Sequence, residues 1–227
     1  MIKNVFFDID DTLLNFKKAE FEALSKTLRQ LGIEPDSAMI ERYSAINSAQ
    51  WEKLERGELT RGQVLISRFE LFFSEYGIGA SAAEAQEKYE YLLGVGHWFI
   101  DGAPELLEAL SGKYRLYIAS NGTKSIQDRR IASAGIGKYF DRIFVSELIG
   151  AEKPQRAFFE YCFSQIPDFR REETIMVGDR LSSDILGGIN AGILTCWFNP
   201  GALPARADIR HDYEIRCLAE LPRILDM

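Results

Sequence analysis

Residues 3–12 read Lys3-Asn4-Val5-Phe6-Phe7-Asp8-Ile9-Asp10-Asp11-Thr12, a short apolar run that ends in closely spaced carboxylates. The β-branched and aromatic content of Lys3 to Ile9, together with its brevity, predicts a buried strand rather than a helix. In an extended chain alternate side chains share a side, so Asp8 and Asp10 are expected to point the same way. Two carboxylates held together repel unless a cation or a shared proton relieves them. A divalent metal is the natural remedy, and hard Mg²⁺ prefers oxygen ligands while keeping several waters. As a bare pattern Asp-x-Asp-x-Thr arises by chance in about a few per cent of chains of this size. Its weight therefore comes from its place after an N-terminal buried strand.

From Lys17 to about Leu93 the apolar spacing is helical. Ala19, Ala23, Leu24, Thr27, Leu28 and Leu31 form one face, which stops at Gly32. A second helix covers Asp36 to Glu55. Thr60-Arg61-Gly62-Gln63 opens a third, whose apolar face of Val64, Leu65, Phe69, Phe72 and Phe73 runs to Gly77. Ser81 with Glu84 three residues on is a capping-box start for a fourth, which runs to Leu93. After Gly102-Ala103-Pro104 the pattern alternates. Helices Pro104–Leu110, Ser125–Ala134, Gln155–Ser164 and Ser182–Ala191 are interleaved with strands Arg115–Ala119, Ile143–Val145, Thr174–Val177 and Ile193–Phe198. Such alternation predicts an α/β fold, a Rossmann-like parallel sheet with helices on both faces. The first strand finds no partner before residue 115, so the helical block reads as an insertion. The expected organisation is a core of residues 1–15 and 100–227 and a helical cap of residues 16–99.

The 227 residues suffice for one large domain, or for a core carrying a smaller one. A composition of 46% hydrophobic and 27% charged residues is ordinary for a globular protein. The net charge of −7 argues against a partner that is a nucleic-acid polymer, which needs clustered Lys and Arg, but permits a small phosphorylated substrate. No apolar stretch approaches the ~20 residues of a membrane span, so no membrane partner is expected. Met1-Ile2-Lys3 leads directly into the first strand, without the pattern of a signal peptide. Cys162, Cys196 and Cys217 are odd in number and widely spaced, and are expected to be packing residues. A reduced cytoplasmic protein, monomer or homodimer, is the simplest account.

Ligands of an open α/β sheet bind beyond the carboxyl ends of its strands. The predicted strand exits deliver Asp8, Asp10 and Thr12; then Ser120, Asn121, Gly122 and Thr123; then Lys153 before Pro154; then Gly178, Asp179 and Asp184. Acids suit a metal, and hydroxyl, N–H and ammonium donors suit the oxygens of a phosphoryl group.

These four segments, Asp8-Ile9-Asp10-Asp11-Thr12, Ser120-Asn121-Gly122, Lys153-Pro154 and Gly178-Asp179-Arg180-Leu181-Ser182-Ser183-Asp184, resemble in order the motifs of the haloacid-dehalogenase-superfamily phosphatases with a helical (C1-type) cap inserted after the first motif. Within that superfamily, Ala151-Glu152-Lys153-Pro154, Ser182-Ser183-Asp184-Ile185 with Gly187-Gly188-Ile189-Asn190-Ala191-Gly192, and Trp197-Phe198-Asn199-Pro200 resemble bacterial pyrimidine 5′-nucleotidases. The resemblance implies a Mg²⁺-dependent phosphomonoesterase acting through an aspartyl-phosphate. Asp8 would be the nucleophile, and Asp10 the acid that protonates the leaving alkoxide and then the base for water. Ser120, Asn121 and Lys153 would bind the phosphate. Asp8, the Asp10 main-chain carbonyl, Asp179 and Asp184 would hold the metal. Asp10 also favours a phosphatase over a 2-haloacid dehalogenase, whose chemistry has no alkoxide to protonate. Arg180 departs from the Ser more usual there. A sugar-phosphate or phosphoglycolate phosphatase and a phosphomutase are the enzymatic alternatives. A non-catalytic phospho-switch is disfavoured, because the place where a receiver domain would carry its acceptor strand reads as helix.

Taken singly, each motif has a plainer reading. Acids after a strand cap turns, Ser-Asn-Gly is a turn, a lysine before proline is a surface residue, and acids are favoured at helix starts anyway. Asp11 is expected to be structural, and Thr12 to tie down the loop through its hydroxyl. His97 and His211 have no accompanying ligand types. In the cap, Trp51, Arg56, Glu58, Arg61 and Arg68 are candidates to reach a nucleoside, with Gly57 at a helix–helix turn, while the Phe69, Phe72 and Phe73 stripe belongs to the core.

Overall fold

The structure, a computed structural model, describes residues 1–226. By its contacts the chain divides into two compact units, residues 1–15 with 97–227 and residues 16–96.

The larger unit is built on β1 (Asn4–Phe7), whose four residues are all buried. It carries α5 (Ala103–Leu110), β2 (Arg115–Ser120), α6 (Lys124–Ala134), β3 (Arg142–Val145), α7 (Ser146–Ile149), α8 (Arg156–Ser164), β4 (Thr174–Gly178), α9 (Leu186–Ala191), β5 (Leu194–Phe198), β6 (Tyr213–Ile215) and α10 (Leu221–Leu225), numbered after the four helices of the other unit. The six strands form one sheet in the order β3-β2-β1-β4-β5-β6, and every pairing is parallel. Order reverses on either side of β1, so the crevice beside its carboxyl end is the switch point where such sheets bind ligands.

Alternation along β1 sorts its side chains to two faces. Val5 and Phe7 join Leu106, Leu107, Leu110, Ile131 and Leu221 on the face covered by α5, α6 and α10. Phe6 joins Phe158, Phe159, Cys162, Met176 and Ala191 on the face covered by α8 and α9. There it stacks on Tyr117 at 4.8 Å between ring centroids and meets Phe163 edge-on at 6.0 Å. The sequence reading of five strands falls short by β6, a three-residue Tyr-Glu-Ile segment with one buried side chain and too short to show a period. Cys162 and Cys196 pack in the core as expected, but Cys217 is exposed beside Glu220, where its neighbours Arg216 and Ala219 also face water.

The smaller unit is all helical: α1 (Phe16–Gln30), α2 (Ser37–Glu55), α3 (Arg61–Tyr76) and α4 (Ala82–Leu93). Local signals set its boundaries. Asp36 caps α2 by accepting from Met39 N, Thr60 and Gln63 form a reciprocal capping box on α3, and Gly77 ends α3 in the left-handed region at φ 63°. Tyr43, Phe69, Phe72 and Tyr89 pack together in its core, as the aromatic stripe of α3 predicts. Arg68 corrects the sequence reading. It is 2% exposed and donates to Asn47 at 2.9 Å and Gln86 at 2.6 Å, while Asn47 in turn donates to the buried Glu20 at 2.7 Å. A guanidinium buried between helices needs such acceptors, and Arg68 is a structural residue here. Trp51 is half-buried with the Arg61 guanidinium 5.3 Å from its ring centre, and Arg56 is exposed and paired with Glu58 at 2.6 Å. Among the described residues no helix is long and apolar enough to cross a membrane.

Because Phe6 joins three aromatic rings beneath the strand that carries the acids, Phe6→Ala should lower the unfolding free energy by about 3–5 kcal/mol. Urea denaturation measures this, and a loss below about 1 kcal/mol would show that the Phe6 side of the sheet contributes little.

Candidate active site

The chain leaves β1 through a tight loop in which the N–H groups of Leu13 and Leu14 both bond to Ile9 O and Asp11 N bonds to Leu14 O. Asp11 takes φ 59°, a left-handed conformation that Asp tolerates better than most residues. Backbone bonds thus hold the loop. Thr12 is fully buried, and its hydroxyl has no hydrogen-bond partner among the described residues, so it does not supply the tie expected of it.

Register then brings the strand exits level. Phe7 pairs with Ile118 of β2 and Val177 of β4, so Asp8 stands beside Ala119 and Gly178. Asp8, Asp179 and Asp184 each offer a carboxylate oxygen within 4.8 Å of the others. Gly178 makes room for this, since a Cβ there would collide with the Asp184 carboxylate. Asp184 lies in a π-helical turn, Leu181–Ile185, and its second oxygen accepts from Arg180 N at 3.0 Å.

Lys153 binds the group together. Its ammonium, 1% exposed, donates to Asp8 Oδ1 at 2.6 Å, Asp184 Oδ1 at 2.7 Å and Ala119 O at 2.6 Å. Those three acceptors match its three hydrogens. Asn121 sets the position of this lysine: its amide donates to Lys153 O and accepts from Lys153 N, both at 2.9 Å. The Asn121 side chain is therefore a clamp on the Lys153 main chain. Ser120 is buried at the end of β2, its Oγ accepting from Gly122 N at 3.0 Å. Asp10 has partners of its own: it pairs with the Arg130 guanidinium on α6 and accepts from Gln127 Nε2 at 2.6 Å. Gln127 and Arg130 escaped the sequence reading, because polar residues in a helix otherwise read as its solvent face.

The charges do not balance. Three carboxylates against one ammonium leave two negative charges in a buried space. Burial first, and then the neighbouring Asp184 and Asp10, push Asp8 up to about 7 although Lys153 opposes them. Burial and the charges of Asp184 and Asp8 likewise raise Asp179 well above the ordinary carboxylate range. Burial disfavours the Lys153 cation, but Asp184 and Asp8 outweigh it and raise its pKa, so it stays charged. A divalent cation would supply the missing charge, and the donors that could hold it are all hard oxygens. Among the described residues His97 bonds to Ser133 Oγ and His211 neighbours Glu214, both outside this acid group.

Removing the ammonium should be severe. Lys153→Met is expected to lower the unfolding free energy by about 3–5 kcal/mol near neutral pH, because it leaves buried acids uncompensated. The deficit should shrink as the pH falls, since the acids then take up protons in the folded state. Denaturant curves at several pH values read it, and a deficit independent of pH would contradict the electrostatic origin.

The chain matches known proteins over nearly its whole length. The family model for haloacid dehalogenase-like hydrolases matches residues 2–192. The chain is 40% identical over 225 residues to the HAD-hydrolase YfnB of Bacillus subtilis, covering 99% of this chain and 96% of that one. A crystal structure of YfnB bound to magnesium superposes with a TM-score of 0.95, covering 100% of this chain and 99% of that one. Pyrimidine 5′-nucleotidase PynA of Streptococcus pneumoniae is 36% identical, covering 99% of this chain and 95% of that one. Pyrimidine 5′-nucleotidase YjjG of Escherichia coli is 30% identical, covering 97% and 96%. With acids, lysine and serine on the strand exits of a parallel sheet and relatives that match over nearly its whole length, the chain belongs to the haloacid dehalogenase-like hydrolase family.

Proposed function

We propose that the protein is a Mg²⁺-dependent phosphomonoesterase that works through an aspartyl-phosphate on Asp8, with pyrimidine nucleoside 5′-monophosphates as its substrates. The observation that carries the reading is the group of Asp8, Asp184 and the half-buried Asp179, in which Lys153 bridges the first two, a constellation that lacks two positive charges. The nucleotidase assignment is supported by the names of two relatives at 36% and 30% identity.

Asp8, Asp179, Asp184 and the Asp10 main-chain carbonyl would hold Mg²⁺, which when bound offsets the charge of both the phosphate and the acids. The residues of the chain do the rest. An Asp8 oxygen attacks phosphorus in line, and the bond to the leaving oxygen breaks. Asp10 gives that oxygen its proton, so that the nucleoside departs as an alcohol. Asp10 then takes a proton from water, the water oxygen attacks the phosphorus of the aspartyl-phosphate, and inorganic phosphate leaves with Asp8 regenerated. Ser120 and Lys153 hold the non-reacting phosphoryl oxygens, where charge accumulates in transfer. Lys153 would exchange one of its present acceptors for the phosphate.

Turnover of dTMP, dUMP and UMP against hexose phosphates and phosphoglycolate tests the assignment. The nucleotides should lead by at least about tenfold in kcat/KM, which requires only ~1.4 kcal/mol of differential transition-state binding. A hexose phosphate or phosphoglycolate ahead by the same margin would refute the nucleotidase reading and leave the phosphatase. Asp8→Asn should abolish turnover and the phosphoenzyme alike, and a near wild-type rate would name another nucleophile.

Metal binding should also depend on pH. The folded pKa of Asp8, raised from 3.8 to about 7, means that its ionisation weakens the metal-free fold as the pH rises through that window. Protons compete with the metal at the low end of it. The rise in melting temperature on adding Mg²⁺ should therefore be larger at about pH 8 than at about pH 5.5. Differential scanning fluorimetry gives the answer, and an equal shift at both would count against Asp8 as a ligand.

A further inference from the structure

Helix α6 starts four residues after Ser120 and turns two buried polar side chains, Gln127 and Arg130, toward the site. They stand three residues apart, on one face of the helix. Gln127 Nε2 donates to Asp10 Oδ2 at 2.6 Å and to Ser120 Oγ at 3.0 Å. Arg130 Nη1 pairs with Asp10 Oδ1 and donates to Gln127 Oε1 at 3.2 Å.

Only one polarity fits this network. A carboxylate only accepts and a guanidinium only donates, so the Gln127 nitrogen must face Asp10 and its oxygen must face Arg130. A reversed amide would set oxygen against oxygen and N–H against N–H. Ser120 Oγ then accepts from both Gln127 Nε2 and Gly122 N, each at 3.0 Å. Both of its lone pairs are filled, and its single hydrogen is left to donate. Gly122 is part of the fit, because a Cβ there would lie 3.0 Å from Gln127 Cδ and closer still to its nitrogen.

We propose that Gln127 and Arg130 are positioning residues, which fix the Asp10 carboxylate and compel the Ser120 hydroxyl to act as a donor toward the phosphoryl group. The proposal rests on the reading of Asp10 as proton donor and Ser120 as phosphate ligand. Arg130 holds one Asp10 oxygen and Gln127 the other, so the carboxylate cannot swing. The glutamine also ties that carboxylate to the serine.

The test compares thymidine 5′-monophosphate, whose leaving alkoxide needs a proton, with p-nitrophenyl phosphate, whose phenolate leaves readily without one. In Gln127→Met and Arg130→Met, kcat/KM, which reports formation of the aspartyl-phosphate and not its shared hydrolysis, should fall roughly tenfold or more for the nucleotide and by less than about threefold for the nitrophenyl ester. Arg130→Lys should recover part of the loss. Gln127→Glu has the same shape but offers Ser120 an acceptor, so inhibition by inorganic phosphate should weaken more in it than in Gln127→Met. Equal losses on both substrates, with Arg130→Lys no better than Arg130→Met, would overturn the proposal. A crystal structure of Gln127→Met gives a readout independent of turnover: a displaced Asp10 carboxylate supports positioning, and an unmoved one refutes it. Wild-type protein inactive on both esters would refute the phosphatase reading instead, and the position of Asp10 in the variant would still decide this one.

Discussion

The Lys153 ammonium is the contact on which the site depends. It is 1% exposed and faces Asp8, Asp184 and a main-chain carbonyl, so three chain segments far apart in sequence converge on one nitrogen. A buried cation without acceptors would be expelled or deprotonated, and buried carboxylates without a cation would protonate. Each therefore requires the other, and the fold supplies both by ending β1, β2 and β4 level with one another. The Asn121 amide adds the last constraint by holding the main chain of Lys153 from both its N–H and its C=O.

Much of this was legible in the sequence, for identifiable reasons. Val5 to Phe7 is buried on both faces, so its run of large apolar residues reads as a central strand without ambiguity. The helical unit carries strong end signals at Asp36, Thr60 and Gly77. Asp8, Ser120 and Asp179 directly follow or end strands, and Lys153 and Asp184 lie in the segments that follow β3 and β4, which can be traced once the strands are found. What failed to show lacks such a signal. The β6 strand is three residues long with one buried side chain. Arg68 sits in a polar stretch, and nothing in the order of residues tells a solvent-facing arginine from one that bonds to Asn47 and Gln86 between helices. Gln127 and Arg130 were missed for the same reason: α6 has mixed polarity all round, and only three dimensions reveal which side meets Asp10.

The two aspartates of the first motif end up with different partners, although the charge of Asp10 still acts on Asp8. Asp8 lies among Asp184, Asp179 and Lys153, an incompletely compensated group in which burial raises its pKa to about 7. Asp10, two residues away, has a cation of its own in Arg130 and a neutral donor in Gln127. Strand alternation alone would send both carboxylates to one side and make them competitors for the same cation. The tight turn at Ile9 to Leu14, with Asp11 left-handed at φ 59°, breaks the alternation and turns the second acid toward α6. In the proposed reaction Asp8, as nucleophile, would have to approach an anion and so gains from a nearby cation, whereas Asp10, as proton carrier, would have to hold its oxygens still beside the leaving group. One short loop gives neighbouring residues of the same type these two different environments, and the partners that make them different come from different helices and strands of the sheet unit.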